Sequence, residues 1–111
     1  MKDSPIQLRQ EIVSVASSML AGSLSYIEGA RRITELSYAA KLDNDPDVLP
    51  FVGADSECDA FPIDPDVRKL WAVSALERLQ PEIDRTEKWA RTLLEPLCHA
   101  LIKRFNEPDA T

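Results

Sequence analysis

The chain has 111 residues, of which 44% are hydrophobic, and a formal net charge of −6. A chain of this size is expected to form one domain that buries roughly two thirds of its unfolded surface, so it needs neither a disulfide nor a structural metal. Eight of the 19 acidic residues and none of the 13 basic residues lie in 43–67, which leaves a net charge of +2 on the rest of the chain. Because a concentrated acidic field repels phosphate and anionic lipid, we expect no binding to nucleic acid or to a membrane surface, and attraction to a basic protein surface.

The pattern of residues 4–22 predicts an amphipathic helix. Ser4 and Gln7 form a capping-box signature, and Pro5 stands where its missing amide donor costs little. Gly22 is expected to end the helix in the left-handed region of backbone conformation. The apolar face of this helix is formed by Leu8, Ile12, Val15 and Met19, with Val13, Ala16 and Leu20 beside them.

The second helix is predicted from Ser25 to about Leu42. Ser25 and Glu28 repeat the capping-box signature. Gly29 lowers helix propensity by roughly 1 kcal/mol relative to Ala, and we expect it to permit a close approach of the first helix. Because only a few residues connect the two helices, they are predicted to form an antiparallel hairpin.

The acidic segment, 43–67, separates this hairpin from the C-terminal helical pattern and contains four prolines and seven large apolar residues. About 25 residues are far more than a helix–helix connection usually has, and the apolar content argues against disorder. Since each proline removes an amide donor and restricts the residue before it, we predict an extended loop, anchored on the helices by Phe51, Val52 and Phe61, with its carboxylates facing water. The alternative is a solvated connector that has no function of its own.

The centre of the acidic segment has the composition of a functional loop tip. Gly53 is expected to adopt a positive φ, and Asp55 and Ser56 can cap a turn. The candidate residues for binding a basic partner are Asp45, Asp47, Asp55, Ser56, Glu57 and Asp59. Two alternatives stay open, because these side chains can satisfy the segment's own amides or can pair with basic residues of the same chain. The basic residues considered for such pairing are Arg31, Arg32, Arg68 and Lys69.

The C-terminal pattern predicts one long helix or two collinear ones. One helical turn is predicted at 68–71, and a third capping-box signature begins at Ser74. An apolar stripe then continues at helical spacing for about 30 residues. Pro81 and Pro96 conflict with an uninterrupted helix because each removes a hydrogen bond and clashes one turn back. Pro81 can instead open a new helix, and Pro96 is expected to mark a kink.

These elements predict an all-α fold in a single domain, in which an N-terminal helix hairpin packs on a long, proline-interrupted C-terminal helix with a long acidic loop between them. The expected divisions are the hairpin in 4–42, the acidic Pro-rich loop in 43–67, the C-terminal helical segment in 68–105 and a frayed tail in 106–111. Trp71 and Trp89 are expected to be packing residues and not ligand platforms.

Two registers of the acidic segment resemble a calcium-binding loop, and both fail at a diagnostic position. The register that begins at Asp43 has Val48 where a sharp-turn glycine is needed, and the register that begins at Asp55 has Ala60 there. We therefore predict no metal site in this segment.

Cys58 and Cys98 are the only cysteines, and His99 is the only histidine. A helix places Cys98 and His99 about 100° apart, so they cannot form a nucleophile–base pair, and three such residues fall short of the four ligands of a zinc site. The start of the chain has no apolar signal core, and no run approaches the roughly 18 apolar residues of a membrane helix. We expect a cytoplasmic protein with free thiols, no cofactor, no metal and no catalytic residue.

Three stretches resemble those of small uncharacterised bacterial all-helical proteins that carry an FVGxDSExD-type loop. The stretches are IEGARR at 27–32, FVGADSECD at 51–59 and VRKLW at 67–71. The resemblance covers most of the chain and implies no activity. Cys58 stands where the motif of those proteins has Thr, which argues against a catalytic cysteine.

These features favour a non-enzymatic protein-interaction module whose acidic segment binds a basic surface of another protein. An inhibitor or immunity-type protein that covers a basic, nucleic-acid-binding active site is one concrete form. Two alternatives stay open: a small-molecule or metal-binding protein that uses the loop carboxylates and His99, and a homo-oligomer whose wide apolar helix faces exceed what one chain can bury. The oligomeric state is expected to be a monomer or a homodimer.

Overall fold

A computed structural model describes residues 4–106, and every regular element in this range is a helix. The helices are α1 (Pro5–Ala21), α2 (Tyr26–Ala39), α3 (Leu49–Cys58), α4 (Pro65–Arg68) and α5 (Val73–Asn106). α1 packs against α2 and α5, and α2 packs against α3. The predicted all-α architecture, a helix hairpin on one long C-terminal helix, is confirmed. Of the tail predicted in 106–111, only Asn106 lies within the described residues, and it ends α5.

The two ends of α1 are fixed by the residues that the sequence predicts. The Ser4 hydroxyl accepts the Gln7 N–H at 3.1 Å, and the Gln7 side chain accepts the Ser4 N–H at 3.1 Å. Gly22 has a φ of 83° and donates its N–H to the carbonyl of Met19. Because both end signals act over a few residues, they can be recognised without knowledge of the tertiary structure.

α2 lies against α1 at Gly29, where the absence of a side chain leaves room for Met19. A Cβ atom on Gly29 would overlap the buried side chain of Met19, so the predicted close approach of the two helices is confirmed. The end of α2 differs from the prediction. The helix stops at Ala39, because Lys41 adopts a φ of 60° and turns the chain away, while the Leu42 side chain remains buried.

The acidic segment is not an extended loop, so this prediction was wrong. α3 occupies its centre, with the side chains of Phe51, Ala54 and Cys58 buried on one face. Pro50 lies in the first turn of α3, where a backbone N–H has no hydrogen-bond partner inside the helix. The absence of an N–H on proline therefore costs no hydrogen bond there, and Pro50 favours the start of the helix. Gly53 lies inside α3 and does not have a positive φ, which corrects a second expectation.

The helical turn predicted at 68–71 lies three residues earlier, in α4. The Asp64 carboxylate accepts the Asp66 N–H at 2.8 Å and caps this turn, and Pro65 follows at the first helical position. A capping side chain directly before a proline is a common helix start. The signal for this helix start is therefore present in the sequence at Asp64 and Pro65.

α5 is one unbroken helix of 34 residues that contains both Pro81 and Pro96. It starts at Val73, and the carbonyl of Ala72 accepts its first hydrogen bonds, so the cap predicted at Ser74 is wrong. Each proline removes one hydrogen bond. The remaining helix is held by the side chains that it packs into the core, because tertiary packing supplies most of a helix's stability in a protein.

Two clusters of buried side chains hold the helices together. The larger cluster joins α1, α2, α3 and α5 and contains the fully buried Ile12, Phe51 and Leu94. The smaller cluster consists of Ile27, Cys58 and Ile83, with partly buried neighbours. Since Ile83 is the first buried residue of α5, the preceding part of this helix projects beyond the core. A helix of 34 residues is about 51 Å long, close to the 54 Å long axis of the molecule.

Membrane insertion by a helix finds no support in residues 4–106. None of the helices there combines the length and the apolar character that a bilayer crossing requires.

Candidate functional site

Asp45 and Asp47 bind Arg104 near the end of α5. The Arg104 guanidinium makes two hydrogen bonds to the Asp45 carboxylate, at 2.8 and 2.6 Å, and one to Asp47 at 2.8 Å. A bidentate pair of this kind is stronger than a single contact between charges. Two of the predicted partner-binding carboxylates thus tie the acidic segment to α5.

We expect this cluster to make stability depend on pH. The hydrogen bond from Arg104 holds the pKa of Asp45 below its ordinary value of 3.8. A carboxylate with a lowered pKa in the folded state contributes stability above its ordinary pKa, and this contribution is lost as the pH falls through the lowered value. Arg104→Met should therefore lower the free energy of unfolding near neutral pH by about 1 kcal/mol. It should also flatten the loss of stability below about pH 4, as measured by chemical denaturation.

Arg91→Met is the matched control for this prediction. Arg91 and Glu95 form an exposed pair one helical turn apart, with 3.5 Å between Nε and Oε2. Its loss should lower stability by less than about 0.5 kcal/mol and leave the acid dependence unchanged. If Arg104→Met and the wild type lose stability in parallel below pH 4, Asp45 is not the group that titrates.

Asp55 is also paired within the chain. Arg31 of α2 lies 3.3 Å from the Asp55 carboxylate and donates a second hydrogen bond to the Cys58 carbonyl at 3.0 Å. A cation at this end of a helix also compensates the partial negative charge of the terminal carbonyls. Arg31 therefore attaches α3 to α2, and the alternative of internal pairing holds for Asp55.

Of the other basic residues considered for internal pairing, Lys69 also meets a carboxylate of the acidic segment, whereas Arg32 and Arg68 have other partners. Arg32 pairs with Glu28 inside α2, Lys69 lies 3.7 Å from the exposed Asp66, and Arg68 donates to the Pro62 carbonyl.

Glu57, Asp59 and Ser56 are exposed at the end of α3. Within residues 4–106, neither Glu57 nor Asp59 takes part in an ion pair. The difference from Asp55 follows from helix geometry, since successive residues are rotated by about 100° and Glu57 points roughly 160° away from Asp55. Asp55 therefore lies on the face of α3 that packs against α2, and Glu57 lies on the face that is exposed to solvent.

An open groove of about 310 Å³ lies between the end of α3 and the first half of α5. It is lined by Glu57, Phe61, Glu82, Arg85, Thr86 and Trp89. Trp89 is 45% exposed, which corrects the expectation that it is a packing residue. The groove residues of α5 share one face of the helix because they are spaced by three and four residues.

The composition of the groove suits a cationic side chain. The face of an indole ring attracts a cation within about 6 Å of its centre, and Glu57 and Glu82 add two carboxylates. Arg85 offsets one of these charges, so the groove carries a net charge of −1. A lysine or arginine can lay its methylene stem along Phe61 while its charged end meets the carboxylates.

Glu87 has a role that the sequence did not predict. Its carboxylate accepts the N–H groups of Tyr26 at 2.7 Å and Ile27 at 3.1 Å, at the start of α2. The predicted capping box is only half formed: the Ser25 hydroxyl accepts the Glu28 N–H at 3.0 Å, but the Glu28 carboxylate pairs with Arg32. No local signal could reveal Glu87, because about 60 residues separate it from the donors.

Cys58 and Cys98 are free thiols, as expected, and the structure shows that both are buried. Burial, with a contribution from nearby Glu95, raises the pKa of Cys98 to about 12, and burial also raises the pKa of Cys58. Thiols held in the protonated form are poor nucleophiles. His99 lies on the exposed side of α5. Within residues 4–106, no three His, Cys, Asp or Glu side chains lie close enough together to hold a metal ion.

Comparison with protein-family models, with curated proteins and with solved structures returns no match. The resemblance to small bacterial helical proteins therefore stays a prediction, and the geometry of the groove carries the functional argument.

Proposed function

We propose that this protein is a non-enzymatic, cytoplasmic interaction module that binds a basic surface of another protein. The groove between α3 and α5, with Glu57, Glu82 and Trp89 around it, receives a lysine or arginine side chain of the partner. The observation that carries the proposal is that the half-exposed Trp89 lines one groove together with Glu57 and Glu82, two carboxylates that have no ion-pair partner among residues 4–106.

We infer that the acidic residues contribute to binding in different ways. Asp45, Asp47 and Asp55 support the fold through Arg104 and Arg31, so their loss would weaken binding indirectly. Glu57 is the member of the predicted set that lines the groove. Asp59, close behind it in the sequence, adds negative charge at the exposed end of α3 and would speed the approach of a basic partner.

An inhibitor or immunity-type protein remains the concrete form of this proposal that the charge distribution favours. A basic, nucleic-acid-binding active site presents the lysine and arginine side chains that the groove suits. Electrostatic steering would make association fast and sensitive to salt.

A hexa-arginine peptide is a direct probe of the groove. Titration followed through the indole N–H resonance of Trp89, assigned by comparison with Trp71→Phe, should give a saturable shift. Combined Glu57→Gln and Glu82→Gln should raise the dissociation constant about tenfold, because two partly exposed charge contacts of up to about 1 kcal/mol each are lost. Trp89→Ala removes this resonance, so its binding is measured by titration calorimetry, and the dissociation constant should rise about 3- to 30-fold through loss of the cation–π contact.

The matched control removes two negative charges elsewhere. Glu11→Gln with Asp66→Asn changes the net charge equally at exposed positions outside the groove. This pair should raise the dissociation constant less than about twofold at physiological salt, where the screening length is about 8 Å. Equal weakening by the two double variants would mean that the peptide responds to net charge alone, and the groove would lose its assigned role.

A further inference from the structure

A second groove lies at the turn between α1 and α2, where the start of α2 meets α5. Its volume is about 560 Å³, which is in the range of small-molecule sites. The half-buried Leu20 and Leu24 form part of its wall, and Tyr26, Lys88 and Arg91 add polar groups. This groove, here called the turn groove, shares no lining residue with the groove between α3 and α5.

The Tyr26 hydroxyl is a polar group that the fold itself does not use. The residue is only 5% exposed, yet its hydroxyl makes no hydrogen bond to any group of residues 4–106. Every side-chain nitrogen or oxygen atom in this range that is sealed from solvent has a partner, so the unpaired hydroxyl must reach an opening. The opening that Tyr26 lines is the turn groove. Because a buried tyrosine hydroxyl normally has a hydrogen-bond partner, this position suits a ligand.

The hydroxyl is a donor at neutral pH. Burial raises the pKa of Tyr26 above its ordinary value of 10.0. The group therefore keeps its proton and can donate it in a hydrogen bond to an anion.

Two cations of α5 lie beside this donor. Lys88 and Arg91 are three residues apart and share one face of the helix. Lys88 belongs to no ion pair in the part of the chain that the structure describes, and Arg91 meets Glu95 through Nε at 3.5 Å, so the terminal nitrogens of its guanidinium can bind a further anion. Glu87 also lines the groove, but both its oxygens accept N–H groups of α2. The turn groove thus has a net charge of +1, whereas the groove at Trp89 has −1.

We propose that the turn groove binds a small monocarboxylate that has an apolar body. The carboxylate accepts the hydrogen bond of the Tyr26 hydroxyl and meets Lys88 and Arg91, and the apolar body lies against Leu20 and Leu24. One negative charge matches the net charge of the groove, whereas a doubly charged phosphate would exceed it. This site is independent of the proposed binding of a basic partner at Trp89.

Hexanoate is a direct probe of the turn groove. Titration followed by amide correlation spectra should shift the Ser25 and Tyr26 amides saturably, with a dissociation constant of about 1 mM or lower, which a ligand of this size reaches at ordinary efficiency. Hexanol and hexylammonium have the same apolar body without the negative charge, and they should give no saturable shift. Absence of saturation with hexanoate, or equal shifts with all three compounds, would overturn the proposal.

Tyr26→Phe removes only the hydroxyl. It should raise the dissociation constant of hexanoate about 3- to 10-fold through the loss of one hydrogen bond. Urea unfolding should show unchanged stability, because the hydroxyl has no partner in residues 4–106. Tyr38→Phe is the matched control, since Tyr38 lies on the same helix, is 59% exposed and does not line the groove. If Tyr26→Phe binds hexanoate as tightly as Tyr38→Phe does, the assignment of the hydroxyl is wrong.

A second pair of variants tests the two cations. Lys88→Gln combined with Arg91→Gln should raise the dissociation constant about tenfold. Arg78→Gln combined with Lys103→Gln removes the same charge from exposed positions of α5 outside the groove and should raise it less than about twofold at physiological salt. Equal weakening by the two double variants would mean that hexanoate responds to net charge alone, and the proposed site would be rejected.

Discussion

Glu87→Ala should lower the free energy of unfolding by about 2 to 3 kcal/mol, and Glu87→Gln by about half as much. The Glu87 carboxylate accepts two N–H groups of the first turn of α2, at 2.7 and 3.1 Å. These donors have no partner inside their own helix, and the partial positive charge of the helix start favours a carboxylate. Glutamine retains one acceptor oxygen, but its side-chain NH2 group takes the place of the other oxygen. That group is itself a donor and would face a backbone N–H of α2. Urea unfolding followed by circular dichroism measures both losses.

Glu82→Gln is the control for Glu87→Gln. It makes the same chemical change on the same helix, at an exposed residue of the groove, and should alter stability by less than about 0.5 kcal/mol. Hydrogen exchange provides a local readout, because the Tyr26 and Ile27 amides should exchange faster in the Glu87 variants than in the Glu82 variant. If both glutamine variants lose the same stability, the effect comes from net charge and not from the cap.

The parts of the fold that the sequence predicted correctly depend on contacts between near neighbours. Ser4, Gln7 and Gly22 fix the ends of α1 through hydrogen bonds that span a few residues. The hairpin follows from the short connection between two amphipathic helices. In each case the residue that gives the signal also makes the contact, so no tertiary information is needed.

α3 was missed although its signal is present in the sequence. Phe51, Ala54 and Cys58 are spaced by three and four residues, which is the period of a helix face. The prolines of the acidic segment mask this spacing in the sequence. A proline prevents a helix when it lies in the interior and favours one when it lies in the first turn, and Pro50 is in the first turn.

The candidate site was less predictable because its state depends on partners far away in the sequence. Asp45 and Asp47 meet Arg104 across 57 to 59 residues, so no local pattern links them. A run of acidic residues shows where negative charge is concentrated, but only the tertiary structure shows which carboxylates have internal partners. That information moves the proposed binding surface from the whole acidic segment to the groove beside Glu57.

Gly29→Ala should lower the free energy of unfolding by about 1 to 2 kcal/mol, although alanine is the better helix former. Inserting a methyl group into a packed core typically costs about 1 to 3 kcal/mol, and the gain in helix propensity offsets about 1 kcal/mol of it. The added Cβ would overlap the Met19 side chain, which is only 1% exposed and cannot move into solvent. Thermal and urea unfolding should agree on the sign.

Gly53→Ala is the control of opposite sign. Gly53 lies inside α3 with nothing within 4 Å of an added Cβ, so alanine there should stabilise the protein by about 0.5 to 1 kcal/mol. A double-mutant cycle isolates the cause of the Gly29 effect, since Met19→Ala removes the three atoms nearest to the new methyl group. In the Met19→Ala background, Gly29→Ala should become neutral or stabilising, with a coupling of about 1 to 3 kcal/mol. If the loss is the same in both backgrounds, Met19 does not limit the approach of α1 and α2, and the explanation for Gly29 is wrong.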